Sequence, residues 1–185
     1  MRKLKLQMQV SIDGFVAGPN SEMDWMVWNW DTKCLEFVKE LTAPVDCILL
    51  GRKLAEGFIP HWAAASAAPE ADEFTRKMSE TPKIVFSKTL TSHEWANTRI
   101  ENGDLAESVQ ALKAQEGGDI IAYGGADFVH SLISAGLIDE LNLFVNPTAI
   151  GNGMAIFRER TNLKLIKAMP FECGITVLQY EPIKA

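Results

Sequence analysis

The alternation of strand-like and helix-like segments between residues 45 and 146 constrains the fold more than any other feature of the sequence. Residues 45–50, 83–86 and 119–123 are short apolar runs, typical of strands covered on both faces. Segments with helical periodicity separate these runs, and residues 138–146 alternate like a further strand. The pattern predicts an α/β fold with a mainly parallel sheet and right-handed crossover connections.

The two ends of the chain predict additional strands. Residues 4–12 alternate apolar and polar side chains, as in a strand with one buried face, until Asp13 and Gly14 end the alternation. Residues 96–100 are a weaker candidate, and residues 164–169 and 175–181 predict a closing antiparallel pair. Residues 14–30, by contrast, are predicted as a long loop.

Helices are expected between these strands, with Asp residues at two of their N-caps. The predicted helices are one from Asp31 to Pro44, a short one after Gly51, one that ends at Met78 after a surface insertion at residues 61–71, one from Asp104 to about residue 115, and one from Gly125 to about residue 135.

Composition limits the class of protein. With 185 residues and 47% hydrophobic content, the chain can bury one sizeable core, so we expect a single domain over residues 1–185. A net charge of -6 and a pI of about 5.1 do not attract nucleic acid or an anionic membrane surface, and neither is an expected partner. No apolar run has the length of a signal peptide or a membrane span, which predicts a cytoplasmic protein.

The cysteines and histidines form no metal-binding pattern. Cys34, Cys47 and Cys173 are widely spaced and contain no CxxC pair, which predicts reduced thiols in apolar surroundings. The three histidines lack the paired spacing of a metal site. We therefore expect no bound metal.

Glycines and cationic residues follow three of the predicted strands directly. The segments are Gly51-Arg52-Lys53, Ser87-Lys88 and Gly124-Gly125-Ala126-Asp127. Glycine lets the backbone approach a phosphate, and helix N-termini at the carboxyl edge of a sheet present unpaired N–H groups. The recurrence of such segments after three strands predicts a nucleotide-binding site. The cationic residues in these segments favour NADPH over NADH, because NADPH carries an additional phosphate. Each segment alone is also compatible with a tight turn or a solvated helix start.

Several short motifs occur in the order in which a known family carries them. They are SIDGFVAG from Ser11, LLGRK from Leu49, VFSK from Val85, YGGA from Tyr123, LIDEL from Leu137, and residues 147–153. With these motifs the chain resembles the bacterial dihydrofolate-reductase-like family that includes the reductase domain of riboflavin biosynthesis, the RibD C-terminal domain. The GxGxxG and GxxxxGK[ST] motifs of other nucleotide-binding folds are missing.

The resemblance implies a dihydrofolate-reductase-like three-layer sandwich, with about eight strands in a mixed, mainly parallel sheet and helices on both faces, and frequently a homodimer. It also implies NADPH-dependent reduction of a small planar heterocycle of the pteridine or pyrimidine ribosylamine class. The implied cofactor contacts are Ala17, Gly51, Arg52, Lys53, Phe86, Ser87, Lys88, Tyr123, Gly124, Gly125, Ala126 and Asp127.

Two carboxylates are candidate catalytic residues. Asp13 stands where the resemblance places substrate contacts, although an Asp before Gly also forms turns. Asp31 lies at the start of the first long helix, where the other interpretation is an N-cap. In true dihydrofolate reductase a carboxylate stands four residues before a Phe of that helix. Counting back from Phe37 gives Lys33, so folate reduction is not expected.

Three tryptophans lie in or next to the predicted loop over residues 14–30. Trp25 and Trp28 are candidates to stack on a flat heterocyclic substrate, together with Trp30. The alternative is that these rings cover the core or a dimer seam.

The leading interpretation is therefore an NADPH-dependent oxidoreductase that acts on a small heterocycle. A rival interpretation is a non-catalytic or regulatory nucleotide-binding protein that keeps the fold, and the missing helix carboxylate favours it. A third is a purely structural dimer module, which predicts no nucleotide.

Overall fold

The computed structural model describes residues 1–183. Its strands are β1 (Leu4–Val10), β2 (Phe15–Ala17), β3 (Val45–Gly51), β4 (Lys83–Phe86), β5 (Thr98–Glu101), β6 (Asp119–Gly124), β7 (Glu140–Val145), β8 (Met154–Ala155), β9 (Leu163–Pro170) and β10 (Thr176–Pro182). Its helices are α1 (Thr32–Thr42), α2 (Arg52–Ala67), α3 (Glu73–Glu80), α4 (Leu105–Ala114) and α5 (Ala126–Ser134).

Eight of the strands form one sheet in the order β5-β4-β3-β6-β1-β7-β10-β9. The first six are parallel to one another, whereas β10 runs antiparallel to both β7 and β9. The remaining two strands, β2 and β8, pair antiparallel in a separate ribbon. The expected mixed, mainly parallel sheet of eight strands is confirmed.

Helices cover both faces of this sheet. Successive residues of β6, Ile120 and Ile121, belong to different apolar clusters because neighbouring side chains of a strand point to opposite faces. The Ile120 face is covered by α4 and α5, through Val109, Leu112, Val129 and Leu132. The Ile121 face is covered by α1, α2 and α3, through Val38, Leu41, Ala55, Ile59 and Met78. This arrangement confirms the three-layer architecture.

Three helices begin at an Asp whose carboxylate accepts a backbone N–H from the first turn. Asp31 accepts from Cys34 at 3.0 Å, and Asp104 accepts from Glu107 at 3.0 Å. Asp72 caps α3 in the same way. Such caps satisfy backbone donors that have no partner inside the helix. The N-cap predictions for Asp31 and Asp104 are confirmed.

Helix α2 is longer than the sequence pattern predicts. Its 16 residues continue through Ala67, so the prediction of a short helix after Gly51 is wrong, and most of the predicted surface insertion at residues 61–71 is helical. Alanine has the highest helix propensity, and the alanine-rich stretch after Pro60 extends the helix even though proline lacks an N–H donor.

The predicted loop over residues 14–30 contains the short strand β2. Phe15 and Ala17 pair with Ala155 and Met154 of β8. Strand β1 ends at Val10, two residues earlier than predicted, because the backbone N–H of Ser11 turns back to the carbonyl of Phe15. A three-residue strand paired with a two-residue partner is too short to produce a detectable alternation.

No helix within residues 1–183 combines the length and the apolar character that crossing a membrane requires.

Candidate active site

The carboxyl ends of β3, β4 and β6 lie side by side. Gly51 of β3 is in register with Phe86 of β4, and Leu50 is in register with Gly124 of β6. The three segments singled out by their composition therefore converge at one edge of the sheet. We refer to residues 51–53, 86–88 and 124–127 as the strand-end cluster.

Glycine is required where these segments touch. A Cβ atom on Gly51 would lie 2.8 Å from the Cβ of Phe128 and 3.2 Å from the backbone nitrogen of Gly125. Gly124 has a φ of +142°, a conformation that residues with a side chain rarely adopt. The peptide bond between Gly124 and Gly125 is cis. The start of α2 can lie this close to α5 because Gly51 carries no side chain, whereas a Cβ on Gly125 would have no other atom within 4 Å.

Two helix N-termini meet at the strand-end cluster. Gly51 is the N-cap of α2 and Gly125 is the N-cap of α5, and neither supplies a capping side chain. The first N–H groups of both helices are thus left for another acceptor, and both helix dipoles place positive potential there. This donor set suits the phosphates of a nucleotide.

Two of the three cationic side chains of the cluster, those of Arg52 and Lys88, are engaged with nearby groups. Arg52 forms a salt bridge of 2.6 Å with Glu56, one turn later in α2. Lys88 donates from Nζ to the carbonyls of Asn102 at 2.6 Å and Gly103 at 2.7 Å. Lys88 thereby holds the connection between β5 and α4 against the end of β4, a structural role that the sequence did not indicate.

Arg158 is a cation of this region that the sequence motifs do not reveal. Its guanidinium pairs with Asp127 in the first turn of α5 and holds the pKa of that carboxyl below its usual range. Lys53 and His130 act on Asp127 in the same direction. No strand-end motif points to Arg158, because it follows the ribbon strand β8. Asp127 is thus surrounded by positive charge.

The two aromatic residues of the predicted cofactor set have different environments. Phe86 stacks on Phe128 of α5, with ring centroids 5.2 Å apart, and lines the strand-end cluster. Tyr123 is directed to the opposite face, where its ring packs 5.2 Å from Phe58 and its hydroxyl contacts the sulfur of Met78. Burial raises the pKa of Tyr123. Only the backbone of Tyr123 is placed to contact a ligand at the strand ends.

Ala17 reaches the same region through the two-stranded ribbon. It pairs with Met154 of β8, and β8 contacts α5. The carbonyl of Ala17 approaches Gly153 so closely that a Cβ there would lie 2.2 Å from the oxygen. The ribbon therefore packs tightly beside the helix that starts at the strand-end cluster.

Asp13 connects the end of β1 to the segment before β8. Its carboxylate accepts the Ser11 hydroxyl at 2.6 Å and the backbone N–H groups of Gly151 at 2.7 Å and Ile150 at 3.2 Å. The Ser11 hydrogen bond and these N–H donors lower the pKa of Asp13. The carboxylate is therefore ionised at neutral pH, which suits it to accept hydrogen bonds more than to donate a proton.

Asp31 has a similar environment at the start of α1. Besides Cys34, it accepts the backbone N–H of Cys173 at 2.9 Å, from the turn between β9 and β10. The Cys173 and Cys34 N–H groups lower the pKa of Asp31. Asp31 thus joins α1 to a turn that is distant in sequence.

The tryptophan loop, residues 18–30, crosses the carboxyl end of β7. Asn146, which follows β7, accepts the backbone N–H of Val27 at 2.7 Å. Trp30 covers Phe144 at a centroid distance of 5.8 Å and belongs to the core. Trp28 is 65% exposed, and Trp25 is half-buried with its indole N–H donating to Glu22. Of the three rings, Trp28 is the freest to contact a ligand.

Within residues 1–183, no group of three or more His, Cys, Asp or Glu side chains is arranged to hold a metal ion.

The hydrogen bonds of Asp13 predict a specific dependence of stability on pH. Because its pKa is lowered from 3.8, Asp13 contributes stability above that value and loses it as the pH falls through the lowered pKa. Asp13→Asn should reduce the free energy of unfolding at neutral pH and reduce the additional loss on acidification to about pH 2. Urea unfolding at several pH values measures both. Asp24→Asn, the same charge change in the same region, should have little effect; equal effects of the two variants would contradict the assignment.

The chain is similar to known proteins over nearly its whole length. The model of the RibD C-terminal domain family matches residues 2–177. A Bacillus subtilis protein, the uncharacterized YyaP, is 33% identical over 187 residues, which cover 97% of this chain and 94% of that protein. The structure of Acinetobacter baumannii RibD superimposes with a TM-score of 0.73 at 17% identity, over all of this chain and 59% of the other.

A pyrimidine reductase-like protein from Corynebacterium diphtheriae has a TM-score of 0.63 at 14% identity, over all of this chain and 93% of that one. At these identities the two structures establish likeness of fold, whereas the family match covers nearly the whole chain. The chain belongs to the RibD C-terminal domain family of dihydrofolate-reductase-like reductases.

Proposed function

We propose that this protein is an NADPH-dependent reductase of a small planar heterocycle, of the pyrimidine ribosylamine or pteridine class. The observation that carries the proposal is the contact between the N-termini of α2 and α5 at Gly51 and Gly125. Two uncapped helix starts this close together present backbone N–H donors that form a cradle for phosphate, and a Cβ on Gly51 would push its walls apart.

The residues present fit NADPH by the chemistry of their donors. The N–H groups that begin α2 and α5 would hold the pyrophosphate, and Arg52 and Lys53 at the start of α2 would attract the additional phosphate that distinguishes NADPH from NADH. When bound, NADPH supplies the hydride. The protein's own contribution is to align the two reactants and exclude water.

The substrate class rests on the family and on the tryptophan loop. One structure of similar fold is described as pyrimidine reductase-like, and a planar pyrimidine suits stacking on an exposed indole. We propose that Trp28, with Trp25 beside it in the sequence, contacts the heterocycle. Asp31 is then a positioning residue at the end of this loop, and Asp13 is one in the segment that leads into it through β2, because their ionised carboxylates are occupied by backbone donors.

One observation favours a second candidate function, a nucleotide-binding protein without reductase activity. Both candidate carboxylates are held in the ionised form, and Lys33 stands where dihydrofolate reductase has its acid. The two functions differ in one measurement, because only an enzyme oxidises bound NADPH when a pyrimidine ribosylamine or a pteridine is added.

A homodimer is the proposed assembly. Strand β9 is the edge of the sheet, and Leu165 and Ile166 are 52% and 45% exposed there. An open edge strand with exposed apolar side chains is a surface that proteins usually cover. A second copy of the chain, with the same exposed edge, would form a two-fold symmetric interface with it.

NADPH binding tests the proposed function directly. Titration of the purified protein, followed by NADPH fluorescence, should show saturable binding below roughly 1 mM, and NADH should bind about tenfold more weakly. Gly51→Ala should weaken binding at least about tenfold, because its Cβ displaces Phe128 or Gly125 from the cradle.

Gly57→Ala is the matched control for that experiment. Gly57 lies in the same helix, and a Cβ added to it would have no other atom within 4 Å, so the variant should bind normally and be about 0.5–1 kcal/mol more stable. Thermal unfolding of both variants separates lost binding from lost folding. Absence of saturable binding in a folded wild-type protein would contradict the proposed function.

The role of Trp28 is tested by steady-state kinetics. Once a substrate is found, Trp28→Ala should raise its KM about fivefold with a smaller effect on the affinity for NADPH, since loss of one aromatic stacking contact costs about 1 kcal/mol. Met23→Ala, at another exposed apolar position of the loop, should leave KM unchanged. Equal KM values for Trp28→Ala and the wild type would assign the ring no substrate contact.

Light scattering tests the proposed dimer. The wild type should give twice the chain mass of 20.5 kDa, and Leu165→Lys should shift it toward one chain because it places a charge at the buried edge. Met23→Lys makes the same change away from β9 and should leave the mass unaltered. A wild-type mass of one chain at micromolar concentration would contradict the assembly.

A further inference from the structure

Two cysteines from distant parts of the chain meet at the start of α1. Cys34 lies in the first turn of α1, and Cys173 lies in the turn between β9 and β10. Their backbone N–H groups donate to the two oxygens of one carboxylate, that of Asp31, at 3.0 Å and 2.9 Å. Two backbone segments held by one carboxylate are close enough for their side chains to meet.

The two thiols belong to one apolar cluster but differ in exposure. Cys34 is fully buried, whereas Cys173 packs against the same cluster and remains partly exposed. Burial raises the pKa of the Cys34 thiol to about 12, and the adjacent Cys173 thiol contributes to this increase. Cys34 is therefore protonated and shielded from solvent. A reagent in solution meets Cys173 first.

The third cysteine is separated from this pair by the sheet. Cys47 lies in β3 and packs in the cluster covered by α4 and α5, whereas Cys34 belongs to α1 on the opposite face. A disulfide requires Cα atoms within about 7 Å of each other, which a sheet between two side chains does not allow. Only Cys34 and Cys173 are arranged to pair within one chain.

We propose that Cys34 and Cys173 form a reversible disulfide that fastens the first turn of α1 to the turn between β9 and β10. The oxidant is a hydroperoxide. The Cys173 thiol loses its proton, its sulfur attacks the terminal peroxide oxygen, and the O–O bond breaks, so that Cys173 becomes a sulfenic acid. The departing alkoxide or hydroxide takes up the proton that the thiol released and leaves as alcohol or water. The sulfur of Cys34 then attacks that of Cys173, and the S–O bond breaks. The departing hydroxide takes the Cys34 proton as water. Two thiols lose two electrons, and the peroxide gains them.

The disulfide would act on the tryptophan loop as well as on stability. Asp31 directly follows this loop and already holds both cysteine backbones. A covalent link at the same point would restrict the exit of the loop, and it would close a long segment of chain, which disfavours the unfolded state. Oxidation therefore couples the state of the thiols to the part of the molecule where Trp28 is exposed.

Thiol counting under native conditions tests this proposal. The reduced protein has three thiols per chain. Brief treatment with a stoichiometric amount of hydrogen peroxide, followed by thiol titration in denaturant, should leave one. Peptide mass mapping should identify a Cys34–Cys173 link that dithiothreitol reverses. The midpoint of thermal unfolding of the oxidised protein should rise by roughly 5 °C or more.

Single-cysteine variants provide the controls. Cys47→Ala should still lose two thiols and show the same rise in midpoint, whereas Cys173→Ser should lose none and show no rise. Cys34→Ser should form no intramolecular link, and circular dichroism shows whether this variant folds. If Cys34→Ser does not fold, Cys173→Ser alone is the control. Retention of all three thiols, a disulfide that contains Cys47, a disulfide between two chains, or Cys173 oxidised alone would each overturn the proposal.

Discussion

The packing of Gly51 against Gly125 is the constraint on which the candidate active site depends. Parallel pairing of β3 with β4 and β6 brings three strand ends to one level, but pairing alone would leave the following helices apart by the width of their side chains. Because Gly51 carries no Cβ, the start of α2 packs directly against Gly125 and Phe128 at the start of α5, and the two helix dipoles add there. Positive potential here comes from the backbone, and the cationic side chains only supplement it.

The cationic side chains near the strand-end cluster have partners that the sequence motifs did not indicate. Lys88 is occupied by the carbonyls of Asn102 and Gly103, and Arg52 by Glu56. Arg158, which no motif indicates, approaches from the segment after β8 and neutralises Asp127. Sequence motifs indicate where the backbone turns after a strand, because adjacent residues determine that local geometry. Partners of long side chains depend on contacts between segments far apart in the chain, and a single sequence carries no such information.

The same distinction applies to the fold. Buried strands such as β3, β4 and β6, and the Asp-capped helices α1 and α4, were predictable because short apolar runs and N-cap residues act locally. The length of α2 was not predictable. Pro60 indicates the end of a helix, the alanine-rich stretch after it indicates a continuing helix, and packing decides between the two. The ribbon of β2 and β8 was missed since two or three residues per strand produce no periodicity.

The tryptophan loop is held in a different way, in which the C-terminal part of the chain fixes a segment from the N-terminal part. Asp13 binds the backbone at residues 150–151, Asn146 binds Val27, and Asp31 binds Cys173. The segment that leads into the loop is thus fixed at Asp13, and the loop itself is fixed at Val27 and at Asp31 directly after it, while Trp28 stays exposed between the last two anchors. Ionised carboxylates are strong acceptors for backbone N–H groups, and this use of Asp13 and Asp31 leaves neither as a resting proton donor. A proton required for reduction would then come from water or from the substrate itself, which makes pre-positioning of the heterocycle the main contribution of this loop to the proposed chemistry.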